Sequence, residues 1–153
     1  MWPENRDLVF YKDQSIYVRC YMAQPKHWVE FTEDWRNEPL AFWVHIEQDG
    51  QPWFKAERFL PEAPRPVPHK GYPVLCVEFM GIVLRFSSRE QLGECIRVLS
   101  LNPLPTTRRL SELRGSTLGP NSHWLSRLPG RLKSPKARRI LVEALTAAEN
   151  NGT

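Results

Sequence analysis

Cysteine is scarce, with Cys20, Cys76 and Cys95 the only three in 153 residues. An odd number without close spacing argues against a disulfide framework. All three thiols are expected to be reduced and buried, as free cysteines usually are. Long apolar runs are also missing. Nowhere do about 18 apolar residues follow one another, so no membrane span and no membrane partner are expected. The opening MWPENRDLVFYKD is broken by charges before an apolar run of leader length can form. The closing AAENNGT carries no lipidation or sorting signal. A cytoplasmic, bacterial protein is the expectation.

Signatures of catalysis and metal binding are lacking too. His27, His45, His69 and His123 show no ligand spacing with each other or with the cysteines. RGSTLG (114–119) has glycines but neither the lysine nor the spacing of a phosphate loop. Dinucleotide and serine-nucleophile fingerprints are missing as well. No metal, no cofactor and no catalytic residue is therefore assigned. An enzyme would need convergent polar groups around a pocket, with His45, Glu57 and His123 as starting points.

The last absence is of acid in the C-terminal third. Residues 1–100 hold 12 basic and 14 acidic side chains, and residues 101–153 hold nine and three, which together give the net charge of +4. All nine bases lie between Arg108 and Arg139, where Glu112 is the only acid.

Against these absences, the composition is globular, with 41% hydrophobic and 25% charged residues. The length suits one domain over 1–153. It divides into a β-rich part (1–86), a helix (88–100) and a basic helical part (101–153). The expected fold is α+β, with an antiparallel sheet of about five to seven strands (residues 7–86) on two main helices (about 88–100 and 135–149).

Leu8–Lys12 and Ser15–Met22 read as strands, the second from the two-residue alternation of Ile16, Val18, Cys20 and Met22. His27–Phe31 reads as a short strand. Leu40–Glu47 and Pro52–Phe59 flank Asp49-Gly50, a dipeptide suited to a turn with positive φ, and are expected to pair as a hairpin. Trp43 and Trp53 would then stack across it. Five prolines between Leu60 and Pro73 predict an extended loop. Val74–Phe79 and Ile82–Phe86 predict a second hairpin around Met80-Gly81.

Ser87 and Glu90 read as a capping box for the helix that follows. Thr107 would cap a short helix over 108–113, and Asn121 another through SHWLSRL. Ser134 as N-cap and Pro135 at the first helical position open the last helix. Ala137, Ile140, Leu141, Ala144, Leu145 and Ala148 recur along it at helical spacing.

The basic set is Arg108, Arg109, Arg114, Arg127, Arg131, Lys133, Lys136, Arg138 and Arg139, with His123 and Trp124 inside it. Guanidinium forks match phosphate geometry, several together can displace counterions, and Trp124 is placed to stack on a base. Bases at a helix N-terminus oppose the dipole, which favours an external anion near Lys136–Arg139. The competing reading is a solvated face, or pairing with the acidic patch Glu30, Glu33, Asp34 and Glu38.

Six tryptophans are many for this length. Trp28 and Trp35 flank the acidic patch as candidate protein-interaction residues, although most tryptophans are expected to fill the core. The sequence thus predicts a small non-catalytic binding protein whose basic segment contacts an anionic macromolecule, nucleic acid or an acidic protein. The alternative is a protein–protein adaptor, inhibitor or homodimer using exposed tryptophans and the proline-rich loop. An enzyme is the third reading.

Overall fold

The computed structural model describes residues 26–115 and 122–151. The expected strands Leu8–Lys12 and Ser15–Met22, with Cys20, lie outside them, and so does Asn121.

The hairpin around Met80-Gly81 forms as its residues dictate. β4 (Tyr72–Phe79) and β5 (Ile82–Phe86) pair antiparallel with Phe79 opposite Ile82. Met80 and Gly81 both take positive φ (51° and 80°), the requirement of a two-residue turn whose twist matches its strands. β1 (Lys26–Thr32) pairs with the other edge of β4, Trp28 opposite Cys76, giving the order β1-β4-β5.

The other expected hairpin is much shorter. Leu40–Glu47 supplies a four-residue helix, α1 (Ala41–Val44), and then the two-residue strand β2 (Ile46–Glu47). β2 pairs with β3 (Phe59–Leu60) in a separate two-stranded sheet. An apolar run without alternation fits a buried helix as well as a strand, and here packing selects the helix. The Asp-Gly turn is real but wide. Gln48 N donates to Arg58 O at 2.9 Å to close it. The Asp49 carboxylate accepts from Gln51 N (3.3 Å), Glu57 N (2.8 Å) and Arg58 N (3.4 Å) inside it. These amides hold the Asp49 carboxyl below its usual range. Trp43 and Trp53 do not meet as expected. The Phe42 ring stands between them, 5.0 Å from Trp43 and 5.4 Å from Trp53. The α+β class therefore holds. In place of one sheet of five to seven strands, the described residues form a three-stranded and a two-stranded sheet.

α2 (Arg89–Leu99) starts one residue later than Ser87 implied: Ser88 is the N-cap, accepting from Gln91 N at 3.2 Å. Gln91 replaces Glu90 as the reciprocal partner, its side chain bonding both the amide (3.0 Å) and the hydroxyl (2.8 Å) of Ser87. α3 (Thr107–Arg114) is likewise capped one residue earlier than expected, by Thr106, and ends on Gly115 in the left-handed region. Two short 3-10 turns follow, Trp124–Arg127 and Gly130–Leu132. α4 (Pro135–Asn151) opens on Ser134, which accepts from Ala137 N at 3.2 Å.

Register divides the core. Leu75, Val77 and Phe79 of β4, with Leu84 and Phe86 of β5, share one face. They pack on Leu92, Cys95, Val98 and Leu99 of α2 and Leu141, Leu145 and Ala148 of α4. A second cluster of Trp35, Ala41, Trp53, Ala56 and Phe59 joins the 3-10 turn Trp35–Asn37 and α1 to the loop after β2. α1 serves both clusters, with Leu40, Trp43 and Val44 towards the first and Ala41 and Phe42 towards the second. No helix of the described residues is long and apolar enough to cross a membrane.

Candidate anion-binding surface

The nine bases sort by exposure. Arg108, Arg109, Arg127, Arg131 and Arg139 are exposed, and Lys133 and Lys136 are half-buried. Arg114 and Arg138 are internal ties. Arg114 donates to Phe42 O (2.8 Å) and Glu47 Oε2 (3.1 Å), with its guanidinium 4.2 Å from the Phe42 ring centroid. Arg138 is 5% exposed. It donates to Lys133 O (2.9 Å), Leu99 O (3.2 Å) and Leu101 O (2.6 Å). A cation on the last carbonyls of α2 satisfies orphan acceptors and opposes the negative end of the dipole. Both arginines are thus withdrawn from any external ligand in this structure.

His123 and Trp124 are withdrawn too. Trp124 is 5% exposed within the main core, so it presents no face for a base to stack on. His123 Nδ1 accepts the Leu125 amide at 3.0 Å, capping the 3-10 turn, and its ring lies 4.5 Å from Trp43. Burial pushes its pKa down to about 4.

Arg108 and Arg109 lie on α3, whereas Arg127, Arg131, Lys133, Lys136 and Arg139 gather on the two 3-10 turns and the first two turns of α4. Arg131 is fixed by donating to Met80 O at 3.0 Å at the β4–β5 turn. Arg139 lines a cavity of about 320 Å³ between the end of α2 and the start of α4, together with Ser100, Asn102 and Glu143. Among the described residues, no carboxylate lies within ion-pair distance of Arg108, Arg109, Arg127, Arg131 or Arg139.

The acidic patch is occupied elsewhere. Arg85 donates to Glu30 (2.5 Å) and Glu38 (2.6 Å). Asp34 caps the turn at Trp35 by accepting from Arg36 N. Hydrogen bonds from Arg85, then Trp28 and Cys76, hold the Glu30 carboxyl below its usual range. Cys76 is fully buried between these groups, its thiol pushed up to about 11 chiefly by burial. Buried Cys95 moves the same way.

Trp35 is 2% exposed and centres the second cluster, its ring 5.1 Å from His45 and 5.2 Å from Phe59. As a core residue it has no contact surface to offer a partner. Trp28 stays half-exposed on β1.

A polar constellation that the sequence did not bring together lies across the molecule. His45 is fully buried, with Nδ1 2.9 Å from Pro61 O and Nε2 2.8 Å from Ser88 Oγ. A carbonyl only accepts, so Nδ1 carries the proton and Nε2 accepts from the Ser88 hydroxyl. Burial lowers the His45 pKa. The partners are 16 and 43 residues away, so no local pattern could have flagged them. Glu57, the third starting point for an enzyme, is exposed on the loop before β3.

Compared with known proteins, the chain matches no family model, no curated protein and no solved structure.

Proposed function

We propose that the protein binds a polyanion, nucleic acid in the first instance, through the surface formed by Arg127, Arg131, Lys133, Lys136 and Arg139. The observation that supports this reading is a run of cations leading into α4, with Arg127, Arg131 and Lys133 on the preceding turns and Lys136 and Arg139 in its first two turns, at the wrong end of the helix dipole. The α4 N-terminus is already positive, and like charges in its first turns cost about 0.3–1 kcal/mol each. A bound phosphate reverses that sign and gains the fork geometry of arginine. With Trp124 and His123 in the core, contact is through phosphates rather than stacked bases, which favours duplexes and weak sequence preference.

The test is a polarisation titration of labelled duplex and single-stranded DNA and RNA at low and physiological salt. Binding is expected to weaken steeply with salt and to be lost in the combined variant R127A/R131A/R139A. No binding at low salt removes the nucleic-acid reading.

A second reading rests on a separate observation. Ile46 and Leu60, cross-strand partners in the small sheet, are 40% and 66% exposed, and Phe54 in the loop between them is 75% exposed. An apolar group of this kind suits a second copy of the chain. A dimer by light scattering that F54S/L60S converts to monomer supports it, and a monomer at all concentrations removes it.

A further inference from the structure

We propose that Ser88 and His45 form a serine–histidine pair competent for acyl transfer, and that the groove beside Ser88 holds the acyl group of an ester. This activity is independent of the polyanion surface. The geometry has the three parts of an activated nucleophile: nucleophile, base and a group that orients the base. Ser88 Oγ lies 2.8 Å from His45 Nε2, and Pro61 O lies 2.9 Å from His45 Nδ1. The carbonyl fixes the tautomer, so the unprotonated nitrogen is the one that faces the hydroxyl. Burial supports this by keeping the imidazole neutral at pH 7.

A helix cap alone needs only the Ser88 oxygen as acceptor for Gln91 N. The hydroxyl proton goes to His45, and one Oγ lone pair remains uncommitted. Ser88 is half-exposed and lines a groove of about 210 Å³ whose walls include Val29, Leu75, Phe86 and Leu92. That volume suits a short apolar acyl chain. Arg89, in the first turn of α2, lines this groove, and its amide has no acceptor within the helix. It is the donor assigned to a developing oxyanion.

The reaction follows from these positions. Ser88 Oγ bonds to the ester carbonyl carbon as His45 Nε2 takes the hydroxyl proton. The tetrahedral adduct collapses, the bond to the leaving oxygen breaks, and Nε2 returns the proton to give the free alcohol. Water then attacks the acyl-serine, Nε2 takes its proton, and the bond to Oγ breaks. Ser88 recovers the proton as the carboxylic acid leaves.

The experiment uses the full chain with p-nitrophenyl butyrate and an alkyl fluorophosphonate. The expected results are ester turnover above the buffer rate and one phosphonyl adduct mapped to Ser88 by peptide mass. Ser88→Asn keeps a cap acceptor and a donor towards His45 but has no nucleophile. With a circular dichroism spectrum matching wild type, it is expected to lose turnover by at least about 100-fold, the scale of a positioned base and nucleophile. His45→Gln is expected to lose both turnover and labelling. A folded wild-type protein that takes no adduct, an adduct on another residue, or a folded Ser88→Asn protein that keeps its turnover overturns the proposal. Should Ser88→Asn fail to fold, the site of the adduct on wild type decides.

Discussion

His123 accepts the Leu125 amide through Nδ1, and His45 accepts the Ser88 hydroxyl through Nε2. Protonation would put a hydrogen where each ring now needs a lone pair. Both pKa values are lowered by burial, His123 to about 4 from 6.5. The folded value lies below the unfolded one, so the unfolded chain binds more protons as pH falls. The stability from each neutral ring is therefore complete above about pH 6.5 and is lost as pH drops towards the folded value, which for His123 means from about 6.5 to about 4. For His123 the loss is on the order of 3 kcal/mol. Urea midpoints measured from pH 7.5 to 4.5 should fall, and His123→Asn should flatten that fall. An unchanged slope in the variant would show that His123 is not the group responsible.

Arg138 carries a second prediction at the residue scale. Arg138→Met keeps the apolar stem but strands the carbonyls of Leu99, Leu101 and Lys133. A loss of about 2–4 kcal/mol is expected, with little change in polyanion binding. Arg139→Met should do the reverse. Thermal melts and titrations of the two variants side by side check both. Sequence spacing held a clue to this difference. Arg138 stands three and seven residues before Leu141 and Leu145, on the apolar stripe, whereas Arg139 falls outside it. Defining the stripe from its apolar residues alone sets Arg138 on another face with Lys136 and Arg139, and hides that distinction.

At the scale of elements, what was legible is what is local. Ser134-Pro135 at the start of α4 and Met80-Gly81 in the hairpin each fix a backbone conformation within a few residues. The cap residues of α2 and α3 slipped by one because adjacent hydroxyl residues, Ser87-Ser88 and Thr106-Thr107, compete for the same role, and packing decides between them. Leu40–Val44 is an unbroken apolar run with no period to read, so its sequence fits strand and helix alike. Gly71 tests how strictly the backbone is specified. Its φ is +98°, and a Cβ there would lie 2.5 Å from Thr32 O of β1. Gly71→Ala combines an unfavourable backbone with a clash against main chain, and a loss of at least about 2 kcal/mol is expected. Gly93 has open space around an added Cβ, so Gly93→Ala inside α2 should instead stabilise by about 0.5–1 kcal/mol. Equal melting shifts for the two glycines would contradict this reading of the backbone.

At the scale of the molecule, the charge asymmetry seen in the composition survives folding in reduced form. Arg114 and Arg138 are spent on holding the fold together, and in the acidic patch Glu30 and Glu38 pair with Arg85 and Asp34 with Arg36. Arg108 and Arg109 are exposed on α3, and Arg127, Arg131, Lys133, Lys136 and Arg139 on the 3-10 turns and α4 form the candidate surface. That surface was legible in part, because counting charge shows a basic segment but not which side chains point outwards. The His45–Ser88 pair was not legible, because it joins residues 43 apart through a loop carbonyl.

The most direct test of the central claim is the salt dependence of duplex DNA binding. The slope of log K against log salt should have a magnitude of at least about 3 for wild type, and it should fall by about 3 in R127A/R131A/R139A while the variant keeps a wild-type circular dichroism spectrum. Binding that is insensitive to salt, or a slope unchanged by those three substitutions, would contradict the assignment of the α4 N-terminal surface to a polyanion.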